Sequence, residues 1–401
     1  MKEENMGFIG FNQLKSLEDY QQQNFTCHEC DNNCEVSMIQ IDNEKLYFGD
    51  ICERYSGKAK VKCKNPFEDL FEKREKLLES YLIQKNGETI GIPRIGMFND
   101  LFPLWASFFS ELGLNVKPSD KTNKKIISKG LDLSNSEYCF PIKVAFGHYD
   151  NLNEKVDFIF SPEIYESYQS KFLDNGEIKN TAWEKSSICP FVQNFNSNVV
   201  PYSVNQTRLI QANLYFRQKK SVIKSLHHSL KNVGLKFKEK EIKVAFEYAE
   251  NNYFDFKKNL RQMGNQTLQN LNKENSIVLV GRPYAVFDEA MNLRIASKIR
   301  NFGFCPIPID MLPLPKEDLS MRMDNEFSIQ GQLILNSANV IKQLDLNAIF
   351  WDFCNCGPNT FLLKFFEKEI GKNFCYLQID ENAKDAGLET RLEAYLNNCL
   401  K

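Results

Sequence analysis

The sequence predicts an α/β protein: two parallel-sheet lobes joined by a helical bridge, behind a small four-cysteine segment. Three observations carry this. Apolar strands alternate with helical patterns in residues 89–160 and again in 277–379, which calls for parallel sheets. Residues 205–273 between them are charged, with long helical periodicity. Cys27, Cys30, Cys34 and Cys52 gather in an opening stretch too small to build a sizeable core. The expected divisions are 1–64, 65–204, 205–274 and 275–401.

The totals narrow the function classes. A chain of 401 residues fits two to three domains. With 50 basic and 52 acidic residues the net charge is -2, which argues against a nucleic-acid partner. No apolar run approaches the roughly 20 residues of a membrane span, and the opening MKEENMGFIG lacks a signal-peptide core, so the expectation is a cytoplasmic protein without a membrane partner. In a reducing compartment 12 cysteines point to metal or redox chemistry rather than disulfides, and with only four histidines the expected ligand is sulfur.

Taken in order, Cys27, Cys30 and Cys34 form C-x2-C-x3-C. A hairpin over Val36 to Phe48, turning at Asp42, Asn43 and Glu44, returns Cys52 towards them. Four thiolates suit zinc or a [4Fe-4S] cluster equally. Cys63 and His28 read as solvated. Asn65 to Lys85 is a charged amphipathic helix.

The first lobe opens with a strand from Thr89 to Met97, a helix from Leu101 to Leu112 capped by Gly113, a strand starting at Val116 and a helix from Asp120 to Lys129. Cys139 precedes a helix that starts near Pro141, a position that lowers a thiol pKa. His148, two helical turns on, is a candidate donor of a hydrogen bond or proton. A strand at Val156 to Phe160 follows, and Cys189 again precedes a proline. The aromatic residues of the bridge read as helix packing.

The second lobe runs from a strand at Ile277 to Val280, through the Gly281 to Tyr284 loop, to a crossover helix at Asp288 to Asn301 and a strand at Phe304 to Ile309. Arg282 leaves a strand's carboxyl end, where it would meet an anionic substrate or form a surface ion pair. A helix within Glu326 to Leu344 leads to a strand at Leu346 to Asp352, which ends in Cys354-Asn355-Cys356-Gly357-Pro358. A helix from Asn359 and a strand from Asn373 complete the sheet. Ligands of open parallel sheets sit at such strand ends. Cys139, Cys189 and Cys356 thus share a Cys/Pro context at loop-to-helix junctions, although any one of them alone reads as a buried small residue. Cys305, Cys375 and Cys399 read as core or helix end. No GxGxxG or Walker A stretch occurs.

The stretches IGIPRIGMFNDLFPLWASFFSELGLNV, SEYCFPIKVAFGH, SICPFVQ, GRPYAVFDEAMN and CGPNTF, followed by LQIDENAKDAGLETRLEAYL, resemble in order the acyl-CoA dehydratase activase-related family. That is the non-ATPase module of 2-hydroxyglutaryl-CoA dehydratase activator-like proteins, related to the 2-hydroxyacyl-CoA dehydratase D-component and to double-cubane cluster proteins. The resemblance implies Rossmann-like lobes with an iron-sulfur cluster between them, [4Fe-4S] or double-cubane, held by Cys139, Cys189 and Cys356. Cys354 is a competitor that the family pattern does not share. The resemblance further implies low-potential, oxygen-sensitive redox chemistry typical of anaerobes and an actin-like ATPase partner as electron donor. The substrate would be an acyl-CoA or a small molecule, and a homodimer would supply six thiolates. His148 and Arg282 are the candidate catalytic side chains. The alternative is a non-catalytic scaffold, bearing zinc or a cluster, that binds the ATPase.

Overall fold

A computed structural model describes residues 20–28, 34–41, 44–50, 55, 66–168, 173–174, 177–178, 187–204, 208–270, 273–313, 326–372, 374–382 and 385–399. The chain divides into two compact units, Met1–Cys63 and Lys64–Lys401.

In the first unit, strands β1 (Tyr20–Thr26), β2 (Glu35–Ile41) and β3 (Glu44–Phe48) form an antiparallel sheet in the order β1-β2-β3. The expected hairpin is β2 and β3, with Ile41 opposite Glu44. Strand β1 has no sequence signal, because YQQQNFT offers almost nothing apolar to alternate. Among the described residues, Cys27, Cys34 and Val36 make a buried cluster here, with Phe25, Tyr47 and Tyr55 packed around it.

The second unit is α/β, with Rossmann-like lobes. In lobe one, β4 (Thr89–Ile92), β5 (Asn115–Pro118), β6 (Phe158–Phe160) and β8 (Leu209–Ile210) pair in parallel in the order β8-β6-β4-β5; β7 (Glu163–Glu166) and β9 (Asn213–Tyr215) pair separately. In lobe two, β10 (Ser276–Val280), β11 (Cys305–Pro308), β12 (Asn347–Phe353) and β13 (Cys375–Ile379) run in the order β11-β10-β12-β13, also all parallel. Counted along the chain, both sheets have the order two-one-three-four. The order reverses between the first and third strands, so each lobe opens a crevice beyond the carboxyl ends of that pair.

The first strand is shorter than its apolar run. It stops at Ile92 because Pro93 cannot donate to a ladder and Gly96 turns the chain at φ +64. Helix α1 (Leu70–Glu79) is capped by Asp69, whose carboxylate accepts from the N–H groups of Phe71 and Glu72. Helix α2 (Phe98–Glu111) is buried almost throughout, as an all-round apolar helix must be. Trp105 meets Phe160 of the sheet at 4.8 Å, and Phe108 meets Phe246 on the far side. Helices α3 (Lys124–Leu133) and α4 (Phe140–Leu152) cross at Gly130 and Gly147. A Cβ on Gly147 would lie 1.9 Å from the Ile126 carbonyl oxygen, so the crossing that sets α4 requires glycine.

The bridge holds two long helices, α5 (Lys219–Asn232) and α6 (Glu239–Asn270). Strands β8 and β9 lie ahead of them, hidden in a stretch that reads as helical because strands of two or three residues have no periodicity. In lobe two, α7 (Ile329–Leu344), α8 (Gly357–Ile370) and α9 (Asp385–Cys399) flank the sheet. The expected crossover helix is largely absent: only Ile295–Asn301 is helical, because Leu293 and Arg294 take φ of +52 and +54.

Several contacts join the lobes. Arg74 on α1 reaches Asp310 through Nε at 3.0 Å and Nη2 at 2.8 Å. Lys143 on α4 reaches Glu381 at 2.6 Å. Backbone bonds from Ser187 N to Phe327 O and from Ile329 N to Ser187 O tie the Cys189 segment to the start of α7. Among the described residues, no helix is long and apolar enough to cross a membrane.

Candidate functional site

Three loop ends converge at the lobe seam. Cys139 is the residue before α4, Cys189 the residue before the short helix Pro190–Gln193, and Cys356 the residue before α8; a proline follows each within the first turn. Phe140 packs edge-on against Phe353 at 5.7 Å, so the start of α4 meets the carboxyl end of β12. Asn355, at φ +65, turns the chain between Cys354 and Cys356. The Ser187 and Ile329 bonds bring in Cys189.

The thiols feel one another. Burial pushes Cys139 up to about 12, and Cys356 and Cys189 push the same way, against the Ile142 N–H and Arg282. Burial pushes Cys356 up to about 11, with Arg282 and the Asn359 N–H opposing and Asp352 and Cys189 adding to it. This corrects the expectation that a helix start lowers the Cys139 pKa: desolvation and the neighbouring thiols outweigh one N–H group. Cys354 stands apart, half-buried, and is raised by burial and then by Asp380 and Asp352. Among the described residues, no three or more His, Cys, Asp or Glu side chains form a ready metal-holding set.

Arg282 is not on the surface. It is 1% exposed, directly after Gly281 at the end of β10, beside the crevice where the strand order reverses. Its Nε donates to Asn359 Oδ1 at 2.8 Å and its Nη1 to Gln330 Oε1 at 3.2 Å. Burial works against its charge, yet the guanidinium stays protonated, as arginine does throughout the working pH range, and ionisation of Tyr284, Cys356 or Cys189 or the nearby Glu326 would favour that charge further. Among the described residues it has no carboxylate at hydrogen-bonding distance. Asp352, raised by burial to about 6, accepts from Asn359 Nδ2 at 2.8 Å and from its neighbour Phe353 N at 2.8 Å. Asn359 therefore links acid and base, and Tyr284 is buried beside them. Sequence reading missed Asn359, Gln330, Asp352 and Tyr284. The one visible signal was Asp352, an acid inside the apolar run IFWDF.

His148 is fully buried and turned towards other partners. Its Nδ1 meets Ser119 Oγ at 2.8 Å and its Nε2 meets Thr122 Oγ1 at 2.9 Å. Thr122 in turn donates to Asp288 of lobe two. With the Thr122 proton so used, Nε2 is the donor and Nδ1 accepts from Ser119, whose oxygen accepts from Arg94 N. Burial pushes the imidazole down to about 3, so it is neutral at pH 7.

In the N-terminal unit, Cys27 and Cys34 are buried side by side. Cys27 N donates to Cys34 O at 2.8 Å, and the Tyr55 hydroxyl lies 3.8 Å from Cys27 Sγ. Cys30 and Cys52, the other two expected ligands, lie outside the described residues, as does Cys63.

A family model described as CoA enzyme activase uncharacterised domain (DUF2229) matches residues 89–312, more than half of the chain. The match spans Cys139, His148, Cys189 and Arg282 and ends before β12 and Cys356. No curated protein matches the chain. Among solved structures, a Salmonella typhimurium LT2 chain provisionally described as a sugar binding protein is similar at 11% identity, over 82% of this chain and 97% of that one, with a TM-score of 0.17. At that score the similarity carries no argument.

Proposed function

The chain belongs to the CoA enzyme activase uncharacterised domain family, and from that premise we propose that it is an iron-sulfur redox protein of an activase-related system. Cys139, Cys189 and Cys356 would hold a [4Fe-4S] or double-cubane cluster. What supports this reading is the placement of these thiols at three loop ends of two lobes, near enough to raise the pKa of Cys139 and Cys356, with a buried arginine that has no carboxylate at hydrogen-bonding distance among the described residues. The donor chemistry fits: sulfur ligands select such clusters, and a protonated guanidinium offsets the negative charge that three thiolates bring.

Bound there, the cluster would supply low-potential one-electron chemistry and an iron free to act as a Lewis acid. The chain's own residues set the surroundings. Arg282 holds positive charge at the thiols, fixed by Asn359 and Gln330. Loading releases the thiol protons, which burial otherwise retains. His148 acts in this proposal as a neutral hydrogen-bonding group through Ser119 and Thr122, and Arg282 is the residue that faces an anionic substrate. Exposed Phe191 and Phe361 flank the Cys189 and Cys356 loops and offer an apolar rim to a partner ATPase or a second copy of the chain. Cys27, Cys30, Cys34 and Cys52 would hold the second metal, zinc or [4Fe-4S]. Dehydration of an acyl-CoA and reduction of a small molecule are the two reactions proposed for the system.

Visible and electron paramagnetic resonance spectra of anaerobically purified protein, before and after dithionite, test this. The reading expects broad absorbance that bleaches on reduction. A colourless protein holding only zinc would replace it with the scaffold reading.

A further inference from the structure

The strand order reverses between β4 and β6 in lobe one and between β10 and β12 in lobe two. Lobe two carries polar groups at its crevice: Arg282 follows β10, and the turn from Cys354 to Cys356 follows β12. Lobe one has a cavity of about 50 Å³ in the matching place, walled by Ile92 and Pro93 at the end of β4 and by Phe160 and Pro162 at the end of β6. Ligands of open parallel sheets sit at that position.

The cavity also borders the thiol segment. Ile188 and Val192, on either side of Cys189 in the chain, belong to its wall. Gly96 lets the loop after β4 close onto that segment, since a Cβ there would lie 2.9 Å from Val192 Cγ1 and 2.9 Å from Phe195 Cε2. Met97 of the wall accepts from Gln330 Nε2 at 2.8 Å, and the same Gln330 accepts from Arg282.

The chemistry of the wall is one-sided. No lining side chain carries a charge, and the Tyr149 hydroxyl is already taken by Ser161 Oγ at 2.7 Å. Water needs about two to four polar partners to stay in a buried place, and this wall offers few. A carboxylate would be desolvated there with no cation in the wall to meet it. On the scale at which one water takes roughly 10–15 Å³, the space holds about three or four carbon atoms.

We propose that this cavity receives the hydrocarbon end of the substrate, an uncharged group of about three or four carbons, with the reacting end towards the thiols. The proposal rests on the reading of those thiols as the reacting centre, and it excludes a substrate whose chain ends in a second carboxylate.

Isoleucine methyl NMR of the purified full chain tests it, because Ile92, Ile95, Ile164 and Ile188 line the cavity and Ile277 and Ile349 of lobe two do not. Butyramide and succinamate are the probes: they share a carbon skeleton and an amide, and one ends in a methyl group where the other ends in a carboxylate. At constant ionic strength butyramide is expected to shift the cavity methyls and leave Ile277 and Ile349 in place, and succinamate to shift none of them. Xenon, which needs neither a variant nor an amide group, should shift the same cavity methyls. Ile164→Phe, which fills the space, is expected to weaken butyramide at least tenfold, with Ile277 and Ile349 reporting an intact fold. None of these readouts needs a cluster, so the cavity and the cluster reading fail separately. Absence of xenon and butyramide shifts at the cavity methyls, succinamate binding as tightly as butyramide, or unchanged affinity in folded Ile164→Phe would each overturn the assignment.

Discussion

The N-terminal sheet and the larger unit use cysteine in opposite settings. In the sheet, Cys27 and Cys34 are two of the three buried residues of the cluster, while Tyr20, Leu46 and Phe48 stay exposed. In the larger unit a continuous apolar core runs from Leu70 to Leu396; of the three loop-end thiols, Cys189 belongs to its edge, Cys139 packs against it and Cys356 lies outside it. Thiols that form a core are structural, since so small a unit needs a staple. Thiols at loop ends of a core that many other side chains fill are not needed to build it, which is what the proposed cluster requires of them.

The largest expected effect tests the first half of this contrast. Cys27→Ser or Cys34→Ser should abolish hydrogen-exchange protection throughout β1, β2 and β3, while unfolding of the larger unit shifts by less than about 0.5 kcal/mol. A protected sheet in both variants would end the structural reading of these thiols.

Arg282→Met comes next and probes the seam. It leaves the Asn359 and Gln330 oxygens unpaired in a buried place and removes the charge facing Asp352. Urea unfolding should show a loss of about 3 kcal/mol. A loss near zero would mean that the guanidinium does not organise the site.

A smaller effect appears as pH dependence. His148, pushed down to about 3, stays neutral when folded but gains a proton below its ordinary value of about 6.5 when unfolded. Its stabilising contribution is therefore complete above about pH 6.5 and declines as the pH falls towards 3, by on the order of 1.4 kcal/mol per unit. Asp288 has the opposite sign and a smaller span. Burial raises it to about 6, so its contribution declines as the pH rises from about 4 to 6. Melting curves from pH 7 to 4 should show a shallower acid loss in His148→Gln and a steeper one in Asp288→Asn. Parallel curves for all three proteins would refute this account of the Thr122 junction.

The alternation of strands and helices was legible because apolar periodicity survives in most elements; β12 and α8 lie within a residue or two of their expected bounds. What was lost was local. Strand β8 is two residues long, and the positive φ at Leu293 and Arg294 falls on residues with no glycine or asparagine to announce it. Cys139, Cys189 and Cys356 could be singled out because each has a proline one or two residues after it. The burial of Arg282, the link through Asn359 and the turning of His148 towards Ser119 and Thr122 depend on the lobes meeting, which no window of sequence contains.

The central proposal is that the three loop-end thiols hold a cluster. The most direct measurement is iron and acid-labile sulfide in anaerobically purified Cys139→Ala, Cys189→Ala and Cys356→Ala, each compared with Cys354→Ala and the unaltered chain. The account predicts that iron and sulfide fall together in the first three and are retained in Cys354→Ala, with every variant folded. Equal iron in all five proteins, or loss only in Cys354→Ala, would contradict it.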